Sequence, residues 1–85
     1  MKHKLKILKQ FADEIKQGNK YFEVRKNDRA YQKGDVIQFK AIEKHGDMEI
    51  EVEHPINHVL YEITYVLSGW GIEKGYVVLG IKWKI

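Results

Sequence analysis

Hydrophobic positions along the chain recur at two spacings, and the switch between them predicts one early helix among several strands. His3 to Ile7 alternates with Lys2, Lys4 and Lys6, so Leu5 and Ile7 take one face and the lysines the other, the mark of a half-buried strand. Leu8, Phe11, Ala12 and Ile15 then follow the 3.6-residue spacing of an amphipathic helix, with Lys16 suited to its last turn and Gly18 to its left-handed cap. Tyr21 to Arg25 reads as a strand with Phe22 and Val24 on one face and Tyr21, Glu23 and Arg25 on the other. After a polar loop, Lys26 to Lys33, Gly34-Asp35 turns the chain into a strand from Val36 to Ile42 whose inner set is Ile37, Phe39 and Ala41. Lys44-His45-Gly46-Asp47 has hairpin chemistry.

The second half is β-patterned throughout. Met48, Ile50 and Val52 alternate with Glu49, Glu51 and Glu53 in a strand with one acidic face, which Pro55 ends or bends. Asn57 to Leu67 predicts a long strand with Val59, Tyr61, Ile63 and Tyr65 on one face. Ser68-Gly69-Trp70-Gly71 and Lys74-Gly75 are turns, and Tyr76 to Ile85 closes the chain with Val77, Leu79, Ile81 and Trp83 on one side. About six strands and one N-terminal helix in a single domain, residues 1–85, predict an α+β, mainly β fold. Short strands with a shared inner face suggest a small, partly closed barrel with the helix plugging one end.

Composition narrows the chemistry. The 85 residues contain no cysteine, which removes disulfides, thiolate metal sites and thiol nucleophiles. No run approaches the ~18 apolar residues of a membrane span, and no signal-peptide core stands at the N-terminus, so a soluble, cytoplasmic protein without membrane association is expected. His54 and His58 have the spacing of two helical metal ligands. Pro55 and the β-branched neighbours argue for extended chain, which separates them by ~13 Å, so neither metal nor other cofactor is expected. Charge is uneven: residues 1–40 carry eleven Lys/Arg against five Asp/Glu, and residues 41–85 carry four against seven. A basic half of this kind attracts polyanions, although lysine-rich surfaces also serve solubility alone.

The densest charge falls between Gly18 and Asp35. There Gly18, Lys20, Glu23 and Arg25 spell G-x-K-x-x-E-x-R, followed by FEVRKNDR, QKGD, ITYVLSGWG and GYVVLGI. This text resembles the ASCH (activating signal cointegrator homology) family of PUA-like β-barrels, and within it the small DUF3850 branch found in phages and bacteria. The resemblance implies RNA binding at a cleft beside the helix, lined by Lys20, Glu23 and Arg25. One similar ASCH group is catalytic and removes the acetyl group of N4-acetylcytidine, with a lysine matching Lys20 and a threonine nucleophile at the position of Glu23. That threonine is absent here, as is the helical segment carrying the group's acidic partner.

The residues themselves leave alternatives. Glu23 and Arg25 emerge on one face about 6.5–7 Å apart, so the carboxylate can hold the guanidinium fork for phosphate or a base edge, or form an ordinary surface ion pair. Lys20 and Lys26 are placed for phosphate contact. Trp70, between glycines, either stacks on an unpaired base or folds back as a lid; Tyr21 and Tyr31 are weaker stacking candidates. Asp28 and Arg29 are expected to fasten their loop. The first expectation is a non-catalytic module for RNA or a nucleotide-like ligand, using Lys20, Glu23, Arg25, Lys26 and Trp70. The alternatives are a small amidohydrolase with Lys20 and Glu23 as its working pair, and a protein-interaction module. An enzyme predicts that pair in contact within an enclosed pocket, an RNA binder an open basic groove, and an interaction module a contiguous apolar patch.

Overall fold

A computed structural model describes all residues, Met1–Ile85. Six strands, one α-helix and one 3-10 turn follow in the order β1 (Lys2–Leu8), α1 (Lys9–Lys16), β2 (Phe22–Lys26), β3 (Val36–His45), β4 (Met48–Glu51), the 3-10 turn (Pro55–His58), β5 (Leu60–Leu67) and β6 (Tyr76–Lys84). The fold is therefore α+β and mainly β. The strands form one sheet in the order β1-β3-β5-β6-β2, with β4 attached to β3 off this path. β1 runs parallel to β3, because helix α1 and β2 intervene in the chain; the other pairs are antiparallel. The sheet is not closed into a barrel: β1 and β2 are its two ends, and no ladder joins them.

The inward set from alternate positions builds one core. Leu5, Ile7, Ile37, Phe39, Ala41, Ile63, Val77, Leu79 and Ile81 come from the strands, and Ala12 and Ile15 from α1. Each fully buried large side chain, such as Phe39 or Ile37, contributes about 1.5–3 kcal/mol. Phe11, on the predicted helix stripe, stays 42% exposed. Gly18, at φ +81°, closes α1 with paired bonds, Gly18 N–H to Ile15 O at 3.1 Å and Asn19 N–H to Glu14 O at 2.9 Å. Gly46, at φ +63°, makes the expected two-residue hairpin between β3 and β4.

Several strand expectations change. β4 is exposed along its whole length, Met48 and Ile50 included, because it pairs only with the overhanging end of β3, beyond the core; Val52 alone of its apolar set packs inward. Residues 55–58 form the 3-10 turn rather than extended chain, with Pro55 at its start, where a missing N–H costs nothing. The long strand therefore begins at Leu60. A β-bulge between Ile63 and Tyr65 inserts Thr64 opposite β6, so Tyr65 leaves the inner face and is 62% exposed. Trp83, beyond the last core residue of β6, is also exposed.

Buried polar groups pin the ends and junctions. One edge of β3 pairs with β5 through Gln38 and with β4 from Ile42. Ala41 falls in the gap, where its N–H donates to Asn57 Oδ1 (2.8 Å) and its carbonyl accepts from Val52 N–H (3.0 Å). Asn57 Nδ2 donates to Val52 O at 3.0 Å, completing the patch. At the start of β3, buried Asp35 accepts from His3 Nε2 (2.8 Å), Gln32 N–H (3.0 Å) and the Met1 ammonium (3.1 Å). Tyr31, offered above for stacking, is a core residue tilted against His3 at 4.8 Å between ring centroids.

Candidate functional site

The site begins with the cap of α1. The turn at Gly18 and Asn19 reverses the chain, and Lys20 N–H bonds back to Glu14 O (3.2 Å), which sets Lys20 at the entrance to β2. β2 then pairs with β6 so that Glu23 stands opposite Leu79, a core residue with no exposure. The alternation predicted for this strand holds, but its charged face is the inner one. Glu23 is buried, while Phe22 and Val24 are 46% and 55% exposed.

A buried carboxylate needs partners, and Glu23 has two cations. Lys20 Nζ donates to Oε1, and also to the Phe22 carbonyl at 2.6 Å. Arg25 Nε donates to Oε2 at 2.9 Å. Both cations are themselves mostly covered, with side chains 15% and 21% exposed. Lys20 Nζ also lies 4.9 Å from the Phe22 ring centre and 5.4 Å from that of Phe11, within cation–π range. Arg25 reaches further: its Nη2 donates to Lys6 O at 2.6 Å, crossing from β2 to β1. A guanidinium thus spans the seam that backbone pairing leaves open.

Along that seam runs an open cleft of about 460 Å³, a volume usual for small-molecule sites. Lys6, Lys20, Arg25 and Lys26 line it around the single carboxylate, with Phe11 and Phe22 as aromatic walls. A neighbouring groove of about 410 Å³ shares Lys6, Arg25 and Lys26 and adds Lys4 and Arg29, against Asp28. The two form a continuous cationic band. Burial pushes the Tyr31 phenol at its floor above the ordinary value, against the pull of the Arg25 and Arg29 cations.

Of the residues singled out from sequence, Lys20, Glu23, Arg25 and Lys26 meet at this cleft. Trp70 does not. Its side chain is 92% exposed, at φ +53° between two left-handed glycines, and it lines none of the five cavities, so the lid reading is set aside. Tyr21 is also exposed. The loop after β2 is fastened by backbone bonds, Asn27 N–H to Gly75 O (2.8 Å) and Asp28 N–H to Lys26 O (2.9 Å), rather than by an Asp28–Arg29 pair. Lys20 and Glu23 are in contact, as an acid–base pair requires, but in a cleft open to water and with a cation on each carboxylate oxygen. Sequence reasoning missed Lys6, Phe11 and Phe22; the alternating lysines of β1 were the available signal for the first.

The histidines have separate partners. His54 Nδ1 accepts from Ile56 N–H (3.1 Å) while Nε2 bonds Asp13 Oδ1 (2.7 Å), holding the 3-10 turn to α1; His58 pairs with Glu53. The His54 contact, with Lys9, holds the Asp13 carboxyl below its usual range. No group of three or more His, Cys, Asp or Glu side chains gathers to hold a metal ion, and no helix is long and apolar enough to cross a membrane.

No curated protein matches the chain. The family model DUF3850, described as a domain of unknown function, matches residues 2–81, and the chain belongs to that family.

Proposed function

We propose that this DUF3850 domain is a non-catalytic RNA-binding module whose site is the cleft at the β1–β2 seam, in keeping with the wider ASCH/PUA-like kinship its motif suggests. One observation carries the reading: four cations, Lys6, Lys20, Arg25 and Lys26, surround one buried carboxylate beside two half-exposed phenylalanines. That is the chemistry of a phosphate track with a surface for an unpaired base. Glu23 acts as the anvil that fixes Lys20 and Arg25 rather than as a ligand contact, since both its oxygens already carry a cation. The same occupancy disfavours the amidohydrolase reading, which needs one of those oxygens free to exchange a proton.

The test is fluorescence anisotropy with labelled single-stranded RNA 12-mers across a salt series. Arg25→Ala is expected to weaken binding by about 1–3 kcal/mol, and the exposed Lys26→Ala to lower the salt slope by about one. Both variants are checked for folding by circular dichroism. Parent-like binding by the Arg25 variant, or an affinity indifferent to salt, would overturn the proposal.

A further inference from the structure

The bulge at Thr64 has a consequence on the outer face of the sheet. In the register, Phe22 of β2 stands opposite Gly80 of β6, and Gly80 stands opposite Tyr65 of β5. Without the extra residue Tyr65 would keep the inward phase of Tyr61 and Ile63; with it, the ring is 62% exposed on the outside, as Phe22 is at 46%. Two aromatic side chains therefore stand on one outer row with a bare glycine between them. Two strand spacings put their backbones roughly 9.5 Å apart, room for one planar ring stacked between the two. Gly80 has no room for a side chain of its own: a Cβ there would sit 2.7 Å from Thr64 Oγ1 and 3.6 Å from Tyr65 Cβ, so the Thr64 side chain covers the glycine between the two rings. The Thr64 hydroxyl thus overhangs the floor, where it can meet the polar edge of a ring.

We infer that Phe22, Gly80, Thr64 and Tyr65 form a stacking slot for one unpaired nucleobase, adjoining the cationic cleft. The inference rests on the RNA-binding reading above and adds a second subsite to it. Phe22 belongs to both, since it lines the cleft with Lys20 and bounds the slot with Tyr65. The next outward residue on β6 is Lys82, which is exposed. Lys82 stands opposite Glu62 of β5, so the cationic surplus beside the slot is on the cleft side, where Lys6, Lys20, Arg25 and Lys26 face one carboxylate and can hold the phosphates of a strand whose base enters the slot. A base also suits an open two-walled slot because every base presents a flat face.

The experiment uses single-stranded U12 RNA carrying one 2-aminopurine, with anisotropy for affinity and 2-aminopurine quenching for stacking. Tyr65→Leu keeps bulk but removes the ring. It is expected to weaken binding about fivefold or more, to leave the salt slope unchanged and to diminish quenching, while Tyr65→Phe stays within about twofold of the parent. Parent-like affinity and quenching in Tyr65→Leu, with Arg25→Ala still weakened, removes the slot and leaves the cleft. Failure of the parent to bind removes both. Loss of a self-associated species in Tyr65→Leu with RNA affinity unchanged assigns this face to a second protein copy and overturns the slot.

Discussion

Glu23 offers the sharpest test of how the site is built. Replacing it with glutamine keeps its shape but removes the charge between Lys20 and Arg25, and turns an amide N–H₂ toward one of the two donors. Breaking a buried pair by removing one partner costs about 3–5 kcal/mol, because the remaining charge is stranded. Lys20 and Arg25 retain 15% and 21% exposure and so recover some hydration, which lowers the expected loss to about 2–4 kcal/mol. A chain of this length has roughly 4–13 kcal/mol of total stability, so Glu23→Gln should lower Tm by about 10–25 °C. Thermal and urea unfolding followed by circular dichroism would read this.

Removing all three charges together should be far milder. A Lys20→Met, Glu23→Leu, Arg25→Met variant strands no ion; its main cost is the two lost hydrogen bonds to Phe22 O and Lys6 O, about 1 kcal/mol each. It should unfold within about 1–2 kcal/mol of the parent and bind no RNA. If Glu23→Gln unfolds within 0.5 kcal/mol (about the size of an ordinary surface substitution) of the parent, the carboxylate is not the anvil described, and the argument from buried pairing is wrong.

Two further outcomes test the frame that holds the site. Hydrogen bonds from His3, Gln32 N–H and the Met1 ammonium hold the Asp35 carboxyl below its ordinary value; a carboxyl depressed on folding stabilises fully above its unfolded value near pH 4, and that stability is lost as pH falls through the lower folded value. Asp35→Asn should therefore flatten the stability-versus-pH curve below about pH 4 while lowering stability at pH 7, and an unchanged acid limb would refute the assignment. Asn57→Ala leaves the Ala41 N–H and Val52 carbonyl unpaired in a covered gap, at about 1–3 kcal/mol each; urea unfolding should show a loss of about 2–4 kcal/mol, and a change under 1 kcal/mol would mean that water takes over the patch.

Period-2 and period-3.6 patterns made most of the elements legible, because Leu5 and Ile7 of β1, Ile37, Phe39 and Ala41 of β3, and Val77, Leu79 and Ile81 of β6 alternate inward as their spacing requires. What escaped were features set by a partner strand. Thr64 and Tyr65 are ordinary strand residues in sequence, and the bulge between them exists only against β6. Met48 and Ile50 alternate with glutamates as an amphipathic strand should, yet β4 hangs on the part of β3 that outruns the core. The inward turn of Glu23 runs against hydrophobicity altogether, since Phe22 and Val24 were the natural inner pair. Only its two cation neighbours make that inversion affordable, and their closeness is a property of the folded seam. The charged trio Lys20, Glu23 and Arg25 was therefore readable while its orientation was not, and neither were Lys6, Phe11 and Phe22 as lining of the same cleft.

That inversion links the fold to the function proposed for it. An open sheet presents two edges whose unpaired backbone groups invite association with other chains. Here the ends of the sheet, β1 and β2, face each other across the cleft, and the contact from Arg25 to Lys6 O bridges them with a charged side chain. A guanidinium has five N–H donors. Nε serves Glu23, Nη2 serves Lys6 O and lies 2.9 Å from Glu23 Oε2, and the two donors of Nη1 are in neither contact. A backbone ladder across the seam would close the sheet and fill the cleft. Bridging by one anchored arginine leaves a gap wide enough for a ligand and a fixed cation pointing into it, so the incomplete closure of the sheet is the feature from which an RNA site can be made.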